Sequence, residues 1–527
     1  MAASRLPAWA RLERPRAGDL GAGISVAILL IPQSIAYAQI AGLPPQVGLF
    51  AGALPLLVAA PLVSSPYLQT GPVALTSLLT LGALSGLATE GSPEYVQLAA
   101  LLAVLVAGVR VVMAVARLGI VAYLMSEPVL VGFTAAAGLL IAASQVPAAL
   151  GTTAPDGGVL RQAGWSILHA GDGNAGSAAL AALTVVLVLG GRRVHRLVPG
   201  VLVAALVGLA VSSWTDFSGA VVGEVPAGLP HLSLALPWSQ AGSLALAAVI
   251  IALVGFAEDS SISRIFATAD RQAWSANREA LSQGAANLAA GLSGGYPVAG
   301  SFSRSALNRH AGAETRWSGA LTGALVLAFL PVASVLDALP RSVLAAVVIV
   351  AVAPLVRVDR LWRMVRKYPV QATVGWVTFG ATLLTAPYVE RGLLVGAGLA
   401  IVVHLRREMR LRTEIEVAGT VIRARPRGSL WFGSVPAAEE ALLGALAAHP
   451  EAEEVVLDLS GLGMIDYTAS LSLQRLVDEA RAAGATVRVE HVPPDARVAV
   501  ETALGPDLVA GPDPDAHPEL PGGWRRR

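Results

Sequence analysis

Cysteine is absent from all 527 residues. That excludes disulfides, thiolate metal sites and cysteine nucleophiles. Lysine is almost absent as well: Lys367, in RMVRKYP with no glycine nearby, is the only one. A Walker A phosphate loop needs its lysine behind glycines, so the sequence does not point to ATP as a direct energy source. Charge is scarce, with 14% charged residues against 54% hydrophobic and a mean hydropathy of +0.63. Soluble domains carry roughly a quarter charged residues. The net charge of +1 gives no case for nucleic-acid binding, and the eight histidines are scattered without metal-ligand spacing. No nucleophile–base constellation stands out, so neither an enzyme nor a cofactor is expected.

What the chain has is apolar sequence, and the charges are segregated around it. From about Gly21 to His404, Ala/Leu/Val/Gly runs alternate with short polar breaks; beyond that the composition is that of an ordinary soluble domain. Apolar stretches fall near 21–40, 46–63, 72–88, 96–116, 126–148, 175–190 and 197–213, then near 243–264, 276–292, 302–312, 318–338, 342–355, 370–386 and 389–405. That is about fourteen, some too short to span a bilayer as a straight helix. Arginines sort the breaks. Arg5, Arg11, Arg14 and Arg16 precede the first stretch, Arg110 and Arg117 are read as following the fourth, and Arg192, Arg193 and Arg196 separate the sixth and seventh. Arg264, Arg271 and Arg278 follow the eighth, Arg357, Arg360, Arg363, Arg366 and Lys367 the twelfth, and Arg406, Arg407, Arg410 and Arg412 the last. With an even count all lie on one side, which the positive-inside rule makes the cytoplasm, with both termini there. The arginine-bearing N-terminus shows no cleavage site and reads as a cytosolic lead-in over 1–20. The expected location is the inner (plasma) membrane.

Two sets of about seven stretches, separated by the loop at 214–242, would run in opposite orientations, the inverted-repeat arrangement of many secondary transporters. Each set has a broken segment. QTGPVALTSLL opens the third stretch, and GYPVAGSFSRSALN, rich in Gly and Ser yet carrying Arg304, opens the tenth. The spacing predicts a half-helix beginning near Phe302, capped by Ser301 or Ser303, facing a second half-helix after Pro72. Two helix N-termini contribute about +0.5 each and Arg304 a full charge, roughly +2 before screening, which favours a divalent oxyanion. The alternative is that Arg304 pairs with a carboxylate or caps carbonyls between packed helices. The first stretch of each set also carries polar residues: Gln33 and Tyr37, four apart on one helix face, and Glu258 and Asp259 in LVGFAEDSS. Gln33, Tyr37 and Ser303 could orient an anion as neutral donors. A carboxyl at Glu258, inside an apolar helix, suggests proton coupling; Glu258 could instead be the ion-pair partner of Arg304. Asp259, about 100° round the helix, should not share its role.

IPQSIAYAQIAGLPPQVGLFAG, GPVALTSLL, VGFAEDSSISRIFA and SFSRSALNRHAGAETRWSG together resemble the sulfate permease (SulP) family of anion transporters over nearly the whole chain. The resemblance implies fourteen membrane segments in a 7+7 inverted repeat, a core domain moving against a gate domain like an elevator, and substrate held between segments three and ten. It gives substrate-binding roles to Gln33, Tyr37, the backbone around Val73 and Ala74, and Ser303 with Arg304. It gives Glu258 the proton-coupling role found in sulfate-transporting members. The S-F-S-R-S-A-x-N form resembles the sulfate branch more closely than sodium-coupled bicarbonate carriers, and dicarboxylate carriers make the same demand on charge. The expected function is proton-coupled sulfate uptake by a homodimer in the bilayer. A dicarboxylate or bicarbonate carrier, an uncoupled anion channel and a membrane sensor are the alternatives.

After the transport domain at 21–405, alternating strands and helices over 413–504 predict a small cytoplasmic α/β domain. Expected strands are Val417–Ala424, Leu430–Phe432, EEVVLDLSG and ATVRVEHV, with helices at 437–448 and 470–483. VVLDLSGLGMIDYTASLSL resembles a STAS domain, which implies dimerisation or regulation. Thr468 stands where related domains are phosphorylated, but Tyr467 and Ala469 replace the small residue and glycine around it, so a structural role is expected. The Pro-, Gly- and Asp-rich tail at 505–527 reads as disordered.

Overall fold

The computed structural model describes residues 14–119, 126–194, 199–409, 411–482 and 484–505, so most of the lead-in and of the tail lies outside the described residues. The chain divides into two compact units, Met1–Gly398 and Leu399–Arg527.

The first unit is helical apart from two very short strands. Its first part runs α1 (Ala17–Ile40), α2 (Pro45–Ala59), β1 (Thr70–Gly71), α3 (Ala74–Leu84), α4 (Pro93–Val115), α5 (Glu127–Leu150), α6 (Val159–Leu168), α7 (Ala175–Val194) and α8 (Gly200–Trp214). The second part runs α9 (Ala241–Asp270), α10 (Ala276–Leu292), β2 (Ala299–Gly300), α11 (Phe302–His310), α12 (Trp317–Phe329), α13 (Arg341–Val352), α14 (Val358–Lys367), α15 (Pro369–Thr385) and α16 (Val389–Glu408). Every apolar stretch read from the sequence carries one of these helices. Six helical stretches among the described residues are long and apolar enough to cross a membrane by length and composition. Helices α6 and α14 were not expected: both have only ten residues, and α14 is strongly polar while α6 is amphipathic. In α14 the arginines of one supposed loop occupy one face of a helix anchored by the buried Leu361.

Local chemistry sets the ends. Ser92 caps α4 with Pro93 in its first turn, and Gly151, with φ 64°, closes α5 in the left-handed conformation. Helices α4 and α10 approach closely because α10 offers glycines: a Cβ on Gly291 would stand 2.6 Å from the Ala100 carbonyl oxygen. At the start of α1, the buried Asp19 accepts hydrogen bonds from the Glu314 and Thr315 amides and the Thr315 hydroxyl. This ties α1 to the turn that follows α11.

The placing of the loop arginines needs correction: Arg264 lies inside α9 and Arg278 in the first turn of α10, not between the two helices. Arg110 does not follow the fourth helix but lies inside α4, fully buried. Its carboxylate partner is on α9, and no local pattern announces a pairing that distant.

The second unit is a sheet in the order β3 (Arg412–Ala418), β4 (Val421–Leu430), β5 (Glu454–Asp458) and β7 (Thr486–Glu490), with β6 (Leu462–Ile465) on the end of β4. Helices α17 (Val435–Ala448), α18 (Tyr467–Ala482) and α19 (Pro494–Leu504) complete it, over a core that includes Ile422, Val455, Leu457 and Leu473. Strands β3 and β4 pair antiparallel; the other pairs are parallel. The expected strand Val417–Ala424 is instead the bend of a hairpin, turned at Gly419 with φ 62°. Thr468 is exposed in the first turn of α18, and it is Asp466 that accepts the Ala469 amide at 2.7 Å.

Asp458, at the end of β5, accepts hydrogen bonds from Arg425 Nε at 2.8 Å and Nη2 at 2.6 Å and from the Ser460 amide at 3.1 Å. Burial pushes its carboxyl up, but the hydrogen bonds from Ser460 and Arg425 outweigh it and hold the group at about 2. A depressed carboxyl stabilises the fold above its ordinary range and stops doing so as pH falls through its folded value. Asp458→Asn is expected to cost this unit about 1–2 kcal/mol at neutral pH, a figure kept small because the guanidinium partners are partly exposed. Hydrogen exchange of the β5 amides should show that deficit unchanged from pH 7 to about 5 and shrinking from about pH 4 towards 2.

Candidate functional site

Strands β1 and β2 cross as a two-residue antiparallel ladder, Thr70 opposite Gly300 and Gly71 opposite Ala299, extended by the Ser301 amide donating to the Gln69 carbonyl at 3.0 Å. Each strand leads straight into a short helix. Gly71 and Pro72 interrupt the chain before α3, and Gly300 gives way through Ser301 to α11. Ser301 Oγ accepts the Arg304 amide at 3.5 Å, so α11 starts at Phe302 with Ser301 as its cap. Helix α3 has Val73 at its N-cap and no side-chain cap, which leaves the first-turn N–H groups without a side-chain acceptor.

Arg304 joins the two helix starts. It is fully buried in the first turn of α11, and its Nη1 donates to the Pro72 carbonyl at 2.9 Å and to Gln33 Oε1 at 3.5 Å. Its Nε and Nη2 have no hydrogen-bond partner. Gly71 leaves room beside Nη2, since a Cβ there would stand 3.4 Å from it. Capping of a carbonyl, one of the alternatives for Arg304, thus accounts for one nitrogen of the guanidinium and leaves two N–H-bearing nitrogens over. Such groups cost about 1–3 kcal/mol each when buried without an acceptor.

The structure brings Gln33, Tyr37, Val73 and Ala74 together with Arg304, all of them buried. Tyr37 lies near enough to Arg304 and Glu258 to feel both charges. Ser303 is exposed, with its hydroxyl 3.2 Å from that of Ser301. Glu258 is half-buried on α9; its Oε2 is buried and has no hydrogen-bond partner. No ion pair joins Glu258 to Arg304 among the described residues, so that alternative for Glu258 is not the arrangement seen. A cavity of 770 Å³ runs along the same helix, lined by Ala257, Ser261 and Arg264 of α9 and by Ser126, Glu127 and Leu130 from α5 and the residue before it. It borders Glu258 through its neighbours rather than opening on Arg304.

Beneath the ladder is a buried polar layer that the sequence reading missed. Asn287 closes a two-bond pair with Val298, donating to its carbonyl and accepting its amide, each at 3.0 Å. Gln283 Nε2 donates to Thr70 Oγ1 at 2.8 Å, and the Tyr296 and Ser77 hydroxyls share a hydrogen bond at 3.0 Å. Asp259 accepts the Gly300 amide and pairs with Arg110 at 3.2 Å. Gln283 and Asn287 stand four apart in an Ala/Gly-rich helix, a local signal that could have found them.

Residues 17–378 match the sulfate permease family, and residues 412–503 match the STAS domain. The chain is similar to the sodium-independent sulfate anion transporter of Bos taurus, with 31% identity over 512 residues, 89% of this chain and 82% of that one. It is similar also to the chloroplastic sulfate transporter 4.1 of Arabidopsis thaliana, with 34% identity over 404 residues, 73% of this chain and 58% of that one. Among solved structures it resembles the murine Solute Carrier 26 family member A9 anion transporter in the inward-facing state, with a TM-score of 0.84 over 93% of this chain and 88% of that one. The 20% identity of that pair makes it a likeness of fold.

Proposed function

Because the chain belongs to the sulfate permease family, whose relatives named above are sulfate and anion transporters, we propose that it carries sulfate inward together with a proton across the inner membrane. The observation that carries the choice of site is the buried Arg304 guanidinium with Nε and Nη2 unpaired, next to the uncapped start of α3. An oxyanion placed there accepts from both nitrogens and from the first N–H groups of α3, and gains from the two helix ends. Gln33 has its Oε1 held by Arg304, which leaves its amide N–H groups to donate. The Tyr37 hydroxyl and the Ser303 hydroxyl supply further neutral donors.

Glu258 supplies the coupling. With the site empty, its charge balances Arg304 across a short gap; with a divalent anion in place, a carboxylate beside it would be repelled, so the carboxyl takes a proton as the anion binds. Proton and anion then cross together and leave together. The motion we assign is alternating access, a core built around β1, β2, α3 and α11 moving against the rest as an elevator. The fourteen apolar helices would be the membrane segments, seven in each of two inverted sets over 21–213 and 243–405. Both termini would be cytoplasmic, and the domain at 413–504 would serve a homodimer or its regulation.

Uptake into proteoliposomes with an inward proton gradient tests the substrate. We expect labelled sulfate to accumulate and unlabelled sulfate to compete better than fumarate or bicarbonate. Accumulation of fumarate or bicarbonate with no sulfate uptake would move the substrate to the dicarboxylate or bicarbonate reading, and fluxes indifferent to the gradient would favour an uncoupled channel.

A further inference from the structure

Arg110 and Asp259 are both fully buried and 3.2 Å apart, on α4 and α9. Space for them is made by glycines. A Cβ on Gly255 would collide with Arg110 Nη2, and one on Gly300 would stand 2.8 Å from Asp259 Oδ1. The hydrogen bonds of this pair among the described residues run to the crossing strands and to what braces them. Asp259 accepts the Gly300 amide of β2, and Arg110 Nη1 reaches the Val298 carbonyl and Gln283 Oε1, each at 3.5 Å. Gln283 in turn holds Thr70 of β1. Gly300 is two residues before the first turn of α11, which carries Arg304.

We propose that Arg110 and Asp259 are positioning residues for the anion site: they fix β2, and with it the start of α11, and they keep the second carboxylate of the Glu258–Asp259 pair from opposing the bound anion. The proposal rests on the transporter reading above. An ionised carboxylate at Asp259, one hydrogen bond from β2, would cancel much of the field that Arg304 and the helix ends direct at the substrate. Arg110 neutralises it in place, so only Glu258 is left to respond to the anion. An asparagine at 259 would still accept the Gly300 amide but would leave the buried Arg110 guanidinium without its counter-charge, so the two residues are needed as a pair. Neutrality of the pair is therefore the property to test.

Sulfate uptake is measured in proteoliposomes for wild type, Arg110→Gln, Asp259→Asn and the double variant. Arg110→Gln should raise the KM about tenfold or more at alkaline pH, where the unpaired carboxyl is ionised and repels the anion, and much less at acid pH, where it takes a proton, while the maximal rate per folded molecule changes less. Asp259→Asn keeps an acceptor for the Gly300 amide and should not weaken binding. The double variant, neutral again, should return the KM to within about threefold of wild type, a non-additive rescue of the kind contacting charges give. A purely structural pair would lower yield and maximal rate in the two single variants, each of which leaves a buried charge unpaired, and restore them in the double variant, with the KM unchanged throughout; that result overturns the proposal. Gly255→Ala keeps both charges but displaces the guanidinium; it should raise the KM even if Arg110→Gln does not fold, and an unchanged KM there also overturns it. Wild type that carries none of sulfate, fumarate or bicarbonate removes the transporter reading and this proposal together; wild type that does, with KM equal in every variant, removes this proposal alone.

Discussion

Arg304→Ala is expected to abolish saturable anion uptake and to weaken anion binding by about 100-fold or more. Two charge-assisted hydrogen bonds contribute about 1.5–3 kcal/mol each, and every 1.4 kcal/mol is a factor of ten. The alanine also removes a full positive charge from beside the two helix starts. It leaves the Pro72 carbonyl without its donor, so part of the effect could come from a loosened crossover. Arg304→Lys separates the two causes. A lysine keeps the charge but lacks the planar fork that can hold Pro72 with one nitrogen and an anion with two others. It should bind about ten times more weakly than arginine, well above the alanine variant. Isothermal titration with sulfate on purified, monodisperse protein gives these ratios, and a thermal melt of each variant shows whether the fold has been kept. Alanine binding sulfate as arginine does would remove Arg304 from the site.

Glu258→Gln is expected to separate anion movement from proton movement. Glutamine imitates the protonated carboxyl in shape and charge, so the variant can bind the anion but cannot release a proton. For a one-proton symport, each unit of inward pH gradient is worth about 1.4 kcal/mol, a tenfold accumulation of the carried anion. With two units imposed, wild type should concentrate sulfate about 100-fold over the level reached without a gradient, before any opposing membrane potential, and Glu258→Gln should not respond to the gradient at all. Exchange of internal for external sulfate, which needs no net proton transfer, should survive in the variant within a few-fold. Lowering the external pH should speed uptake by wild type and leave the variant unchanged. Retained accumulation in Glu258→Gln would place the coupling proton elsewhere.

Much of the helical unit was legible because its signals are local. Gly, Pro and Ser in GPV and AGSFS announce a break and a cap, and the structure has β1, β2, the start of α11 at Phe302 and the Ser301 cap where those residues stand. Apolar runs announce helices without saying how they pack. Arg110 shows the limit: near the end of an apolar run it reads as the edge of a loop, and only Asp259, brought alongside by the packing of α4 on α9, explains a fully buried guanidinium. The partners of Gln283 and Tyr296 were hidden for the same reason, since Thr70 and Ser77 stand far along the chain. In the second unit, alternation alone ran a strand through Gly419, where a glycine with positive φ turns the chain back. The neighbouring carboxyls Glu258 and Asp259 differ by one step round a helix, which was readable; that one is left unpartnered and the other is neutralised was not.

Whether an anion occupies the crossover can be seen with selenate, a sulfate analogue whose selenium scatters X-rays anomalously. In crystals of wild type grown with selenate, we expect one strong anomalous peak within hydrogen-bond distance of Arg304 Nε or Nη2 and of the first amides of α3, and no such peak in Arg304→Ala. A peak confined to the cavity between α5 and α9, or an empty crossover at saturating selenate, would contradict the assignment of Arg304 as the residue that holds the anion.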